Sequence, residues 1–207
     1  MQHRSLRLAV LGDSLAYGTG AAHPDHTLGA RLAGMLDRSG YAVELHVLAV
    51  PGATSFDLAA QVRRTTPLHA DLAVVVVGAN DLPRMIPPER SAAALRAAVE
   101  ALQGGGTTVV VVPAPDLSTV PWVPPTLRPA LRTTCAELQR RQAAVAAAAG
   151  AVVAPVAGQV AAAFAADPTL FCADRFHPSS AGYARIAAAL GPSVATAAAT
   201  AHRSRAA

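Results

Sequence analysis

Apolar residues along this chain come in short runs separated by polar, Gly-rich and Pro-rich breaks. The first run, residues 6–11, ends abruptly in Gly12-Asp13-Ser14. Residues 43–50 alternate partly, whereas 71–77 read Asp-Leu-Ala-Val-Val-Val-Val with no alternation. A run apolar on both faces fits a buried strand of a parallel sheet. Residues 107–112 and the shorter 151–156 complete five predicted strands. Between them the apolar period changes to that of a helix. Leu28, Leu32, Met35 and Leu36 share one face of a helix over 28–38, ended by Gly40. Residues 55–65 give a second helix, closed by Pro67. Pro87-Pro88 opens a third, with Leu95, Val99 and Leu102 on its apolar stripe and Gly104-Gly105-Gly106 as its stop. A long helix spans 127–149, and a weaker helical piece covers 159–166. Ser179 caps a last helix carrying Ile186 and Leu190, which Gly191-Pro192 is expected to end. The tail from about Thr196 is expected to fray.

Strands alternating with helices predict a doubly wound α/β sheet with right-handed crossovers. The expected architecture is a flavodoxin-like three-layer α/β/α sandwich with a five-stranded parallel sheet in the order 2-1-3-4-5. No internal repeat, linker or composition break divides the chain, so residues 1–207 read as one domain. Ligands of open α/β sheets sit beyond the carboxyl ends of the strands, where the strand order reverses. Here that point lies between the first and third strands, and both Ser14 and Asn80 fall at it.

Composition narrows the class. Hydrophobic residues make up 52% of the 207 and charged residues 14%, which suits a globular chain with a full core. All 17 basic residues are Arg, and the net charge is +4. These arginines are scattered, with only Arg63-Arg64 and Arg140-Arg141 adjacent and almost no aromatic interleaving, so no nucleic-acid partner is expected. No uninterrupted apolar stretch approaches the roughly 20 residues that span a bilayer. The N-terminus leads straight into the first strand with no visible signal peptide, so the expected location is the cytoplasm. Two cysteines, Cys135 and Cys172, are too few for a disulfide framework and are read as packing residues. His23, His26, His46 and His69 lack metal-ligand spacing, so neither a metal nor another cofactor is expected.

Four stretches carry the candidate chemistry: Gly12-Asp13-Ser14-Leu15, Pro51-Gly52-Ala53, Gly78-Ala79-Asn80-Asp81 and Asp174-Arg175-Phe176-His177-Pro178. Taken alone, Ser14 suits a helix cap, a phosphate donor or a nucleophile. The four stretches together, in this order and spread from Gly12 to His177, resemble the SGNH (GDSL-type) hydrolase family. That resemblance implies a serine esterase or lipase acting on small ester substrates, with Ser14, Asp174 and His177 as its triad.

The residues support the same assignment from below. A serine hydroxyl is a weak nucleophile until a base takes its proton, and His177 is the candidate base. Asp174 lies three residues earlier, near enough in a turn or helix to fix the imidazole tautomer. The nucleophile elbow Gly-x-Ser-x-Gly of α/β-hydrolases is absent, since Ala occupies position 16. Acyl transfer also needs donors for the developing oxyanion. The backbone N–H of Ser14, that of Gly52 and the Asn80 side-chain amide are the natural three. Asp13 and Asp81 are read as structural. The loops 82–88 and 113–125 are Pro-rich and offer Met85, Ile86 and Trp122, with Val120 and Val123, as an apolar wall for a short-to-medium acyl chain.

Three other functions fit the same fold. An acyltransferase uses the same residues with a sugar or alcohol as acceptor. A flavodoxin-like binding module needs a Ser/Thr-rich phosphate loop after the first strand, where Asp13 instead places a carboxylate. A catalytically dead scaffold conflicts with the filled triad positions.

Overall fold

In a computed structural model, which describes residues 4–206, five strands form one parallel sheet in the order β2-β1-β3-β4-β5. The strands are β1 (Arg4–Gly12), β2 (Tyr41–Val47), β3 (Leu72–Val76), β4 (Thr108–Val112) and β5 (Val152–Val153). The seven helices among the described residues are α1 (Ser14–Tyr17), α2 (Leu28–Arg38), α3 (Leu58–Thr65), α4 (Pro88–Gly104), α5 (Arg128–Ala148), α6 (Ala157–Ala166) and α7 (Ser180–Ala206). The observed strand order is the one the hydrophobic pattern predicts.

β3 shows why the sheet is buried on both faces. Leu72, Val74 and Val76 join a core that includes Leu28, Leu32 and Leu36 of α2 and Tyr183, Leu190 and Val194 of α7. Ala73 and Val75, followed by Val77, face the opposite core, with Leu58 of α3 and Leu95, Val99 and Leu102 of α4. Side chains of a strand alternate between faces, so an unbroken apolar run serves two cores at once.

The C-terminal helix departs from the sequence expectation. Gly191-Pro192 does not end it, and the chain past Thr196 does not fray: α7 continues to Ala206 with Pro192 inside it. A mid-helix proline removes one backbone donor and crowds the preceding turn. Here Val194, Ala197, Ala198 and Ala201 bury themselves in the α2-side core and hold the helix together beyond the proline.

The carboxyl edge of the sheet is finished by two buried glutamines. Gln61 of α3 pairs with both backbone groups of Gly12, accepting from its N–H at 2.7 Å and donating to its carbonyl at 2.9 Å. Gln142 of α5 accepts from Ala114 N–H at 2.8 Å and donates to Val77 O at 3.0 Å, joining the ends of β3 and β4. Buried backbone groups beyond the last strand residue need such partners. These bonds fix the loops that carry the site.

Candidate active site

The end of β1 is shaped by close approach. Gly12 has φ +134°, and a Cβ there would lie 1.7 Å from Val76 O. Only a glycine lets the chain turn this near β3. Asp13 then caps α1, its carboxylate accepting from Leu15 N–H at 3.0 Å. Ser14 opens the helix and is only 8% exposed. Burial pushes the Asp13 carboxyl up to about 6. Hydrogen bonds from the amides of Leu15, Ala79 and Gly78 work against that rise, and Asp81 adds to it. Asp13 thus ties the turn carrying Ser14 to the loop carrying Asn80, a structural role as read from the sequence.

Asp174 and His177 lie on a tight turn between a single 3₁₀ turn, Pro168–Leu170, and α7. Phe171 and Pro178 pair across its base, and Cys172 N–H donates to His177 O at 2.8 Å. Arg175 takes a left-handed φ of +59° to complete it. The turn aims His177 at Ser14: Nε2 stands 3.0 Å from Ser14 Oγ, and Nδ1 stands 2.6 Å from Asp174 Oδ2. The other carboxylate oxygen, Oδ1, accepts from Phe176 N–H at 2.8 Å, His177 N–H at 2.9 Å and the Cys172 thiol at 3.1 Å. Burial disfavours the Asp174 charge. The bonds from the His177 ring, the Cys172 thiol and the two amides outweigh it and hold the carboxyl well below the usual range.

Gly52 and Asn80 reach the same edge. Val50-Pro51-Gly52-Ala53 closes with Ala53 N–H donating to Val50 O at 3.0 Å, and Gly52 has φ +81°. Proline followed by a positive-φ glycine is the pattern of a type II turn. Asn80 donates one amide hydrogen to Ala53 O at 2.9 Å. A primary amide carries two N–H groups, so this bond anchors Asn80 with a second donor left over. Asp81 accepts from both the backbone N–H and the hydroxyl of Ser55, locking the β2 and β3 loops together.

An apolar cavity of about 90 Å³ opens beside Ser14 and His177. It extends toward β4 and β5, between Val112, Val120, Phe171 and the α6 residues Ala157, Val160, Ala161 and Phe164. The wall therefore differs from the sequence expectation. Met85 and Ile86 do not line it. Their loop folds toward the β2 side, with Arg84 donating to Gly52 O at 3.0 Å, and Met85 is left 87% exposed. Trp122 stacks on Phe176 from outside, with centroids 6.0 Å apart, and lines a separate surface groove with Val123. The α6 residues recur at helical spacing (157, 160, 161, 164), a signal visible in sequence but attached there to no site.

Cys135 is buried, as expected of a packing residue, whereas Cys172 bonds to Asp174. Among the described residues no three His, Cys, Asp or Glu side chains gather as a metal site, and no helix is long and apolar enough to cross a membrane.

Comparison with known proteins adds to this geometry. A model of the GDSL-like lipase/acylhydrolase family matches residues 10–185. The GDSL-like esterase Rv1075c of Mycobacterium tuberculosis is 36% identical over 183 residues, which cover 86% of this chain and 58% of that protein's length. Among solved structures, TesA superposes with a TM-score of 0.73 at 22% identity, covering 92% of this chain and 99% of that one. Axe2, an acetylxylan esterase from Geobacillus stearothermophilus, superposes with a TM-score of 0.71 at 21% identity, covering 94% and 96%. At such identities the two superpositions speak to the fold.

Proposed function

Because the chain belongs to the GDSL-like lipase/acylhydrolase family, we propose that it hydrolyses carboxylic esters through an acyl-enzyme on Ser14. The observation that carries this reading is the continuous hydrogen-bonded line from Ser14 Oγ through His177 to Asp174. His177 Nε2 takes the Ser14 proton as Oγ attacks the ester carbonyl. The N–H groups of Ser14 and Gly52 and the free amide hydrogen of Asn80 receive the oxyanion. His177 then returns its proton to the leaving alcohol. A water molecule, deprotonated by the same nitrogen, releases the acid. Asp174 keeps Nδ1 protonated throughout and stabilises the imidazolium.

The acyl group is assigned to the apolar cavity and the alcohol to the solvent side. A cavity of about 90 Å³ suits a short chain. Each buried methylene contributes about 0.8 kcal/mol, or about fourfold in kcat/KM. The test is kcat/KM across p-nitrophenyl esters from acetyl to palmitoyl, with a phosphonate reagent and mass spectrometry to identify the labelled residue. The expected result is a rise over the first few carbons, then a plateau or fall, and label on Ser14 alone. Ala161→Leu fills the cavity from α6. It is expected to leave acetyl ester turnover nearly unchanged and to cut hexanoyl ester turnover by about tenfold or more. A climb to the longest chains, unaltered by Ala161→Leu, would place the acyl group elsewhere.

Asn80→Ala tests the oxyanion site. Losing one donor typically costs about 10²–10³ in rate. The loss should fall on kcat with little change in KM, since the bond strengthens as charge develops. A change confined to KM would reassign the amide to ground-state binding.

A further inference from the structure

We propose that Cys172 is a positioning residue for the acid–base pair, its thiol fixing the Asp174 carboxylate in the orientation that holds His177. The proposal rests on the reading of Asp174 and His177 given above. The thiol is 3.1 Å from Asp174 Oδ1, while Oδ2 takes the His177 ring at 2.6 Å. Oδ1 otherwise receives only the amides of Phe176 and His177 among the described residues. Both amides belong to residues that follow Asp174 in the chain. The thiol belongs to a residue that precedes it, whose own N–H is bonded to His177 O and whose carbonyl accepts from Arg175 N–H at 2.9 Å. The terminal torsion of a carboxylate is broad. A further donor on Oδ1, from the preceding residue, narrows it and keeps Oδ2 aligned with Nδ1. The bond also acts in the other direction. Burial holds the Cys172 thiol above its ordinary range, the Asp174 amide opposes this, and the Asp174 carboxylate adds to it. The thiol stays protonated and remains a donor.

Two measurements test the coupling. Cys172→Ala is expected to lower kcat by about 3- to 10-fold with KM nearly unchanged, as befits a weak donor to a charged group. Cys172→Ser supplies a hydroxyl donor at the same place and is expected to restore most of that loss. The second measurement needs no ester turnover. Iodoacetamide alkylation of Cys172 at about pH 8 is followed site by site by mass spectrometry, with buried Cys135 as the internal reference. Asp174→Asn removes the charge that disfavours the thiolate, so alkylation of Cys172 is expected to quicken several-fold, since the thiolate is the reactive form. The proposal is overturned if Cys172→Ala keeps full kcat, if its loss lies only in KM, if Cys172→Ser is as impaired as Cys172→Ala, or if Asp174→Asn leaves the alkylation rate unchanged. Turnover that survives Ser14→Ala would instead count against the esterase mechanism, and the alkylation rates would still report on the thiol–carboxylate bond.

Discussion

Ser14→Ala is expected to reduce ester hydrolysis by about 10⁴-fold or more while the protein folds as before. The substitution removes one atom, Oγ, whose partner is His177 Nε2 at 3.0 Å. The cap on α1 is untouched, because Asp13 and not Ser14 accepts from Leu15 N–H. The proposed oxyanion donors also survive, since the Ser14 contribution comes from its backbone. Residual turnover should therefore exceed that in water, as it does when a serine enzyme loses its nucleophile but keeps its hole. The check is kcat/KM on the best ester beside a thermal melt of both proteins. An Ala variant with near wild-type turnover would remove Ser14 from the chemistry. A variant that melts far lower would mean that the hydroxyl also supports the fold.

The parts of this molecule legible in sequence are those that depend on local pattern. An unbroken apolar run such as 72–77 has few alternatives to a strand buried on both faces, and five such segments separated by helices leave few topologies. The four site stretches were legible for a related reason: each sits at a strand end or helix start, where backbone geometry demands Gly, Asp or Asn. What escaped depends on long-range packing. Nothing local at Pro192 reveals that Val194, Ala197 and Ala198 have a core waiting for them. Gln61 and Gln142 read as ordinary polar helix residues, yet they close the β1, β3 and β4 ends from buried positions 49, 65 and 28 residues away in the chain. The sequence places the apolar wall in the long loops, because loops usually shape pockets. The loop with Met85 turns toward β2, however, and the cavity lies toward β4 and β5, so α6 supplies the wall. Cys172 reads as a packing residue, because nothing local in the sequence shows that its thiol meets the Asp174 carboxylate.

Asp174→Asn is expected to slow hydrolysis by about 10⁴-fold with the turn intact. The structure dictates which way the new amide points. Three donors converge on Oδ1: two backbone amides and the Cys172 thiol. An Asn side chain satisfies them only with its carbonyl oxygen there. Its NH₂ group must then occupy the Oδ2 position, 2.6 Å from His177 Nδ1. Two N–H groups cannot face each other, so Nδ1 gives up its proton and accepts, and the proton moves to Nε2. That nitrogen then presents a hydrogen to Ser14 Oγ and cannot act as its base. The same geometry sets the acid behaviour of the wild-type protein. The Asp174 carboxyl lies below its ordinary 3.8, so it stays charged in mild acid. A depressed carboxyl contributes stability that is present above its unfolded value and is lost only as pH falls through the lower folded one. Neutralisation of Asp174 therefore does not account for a loss of activity between about pH 7 and 5. The pH–rate profiles of both proteins, each with a thermal melt at every pH, provide the check. A loss under about tenfold in Asp174→Asn would mean that the tautomer of His177 is set by some other contact.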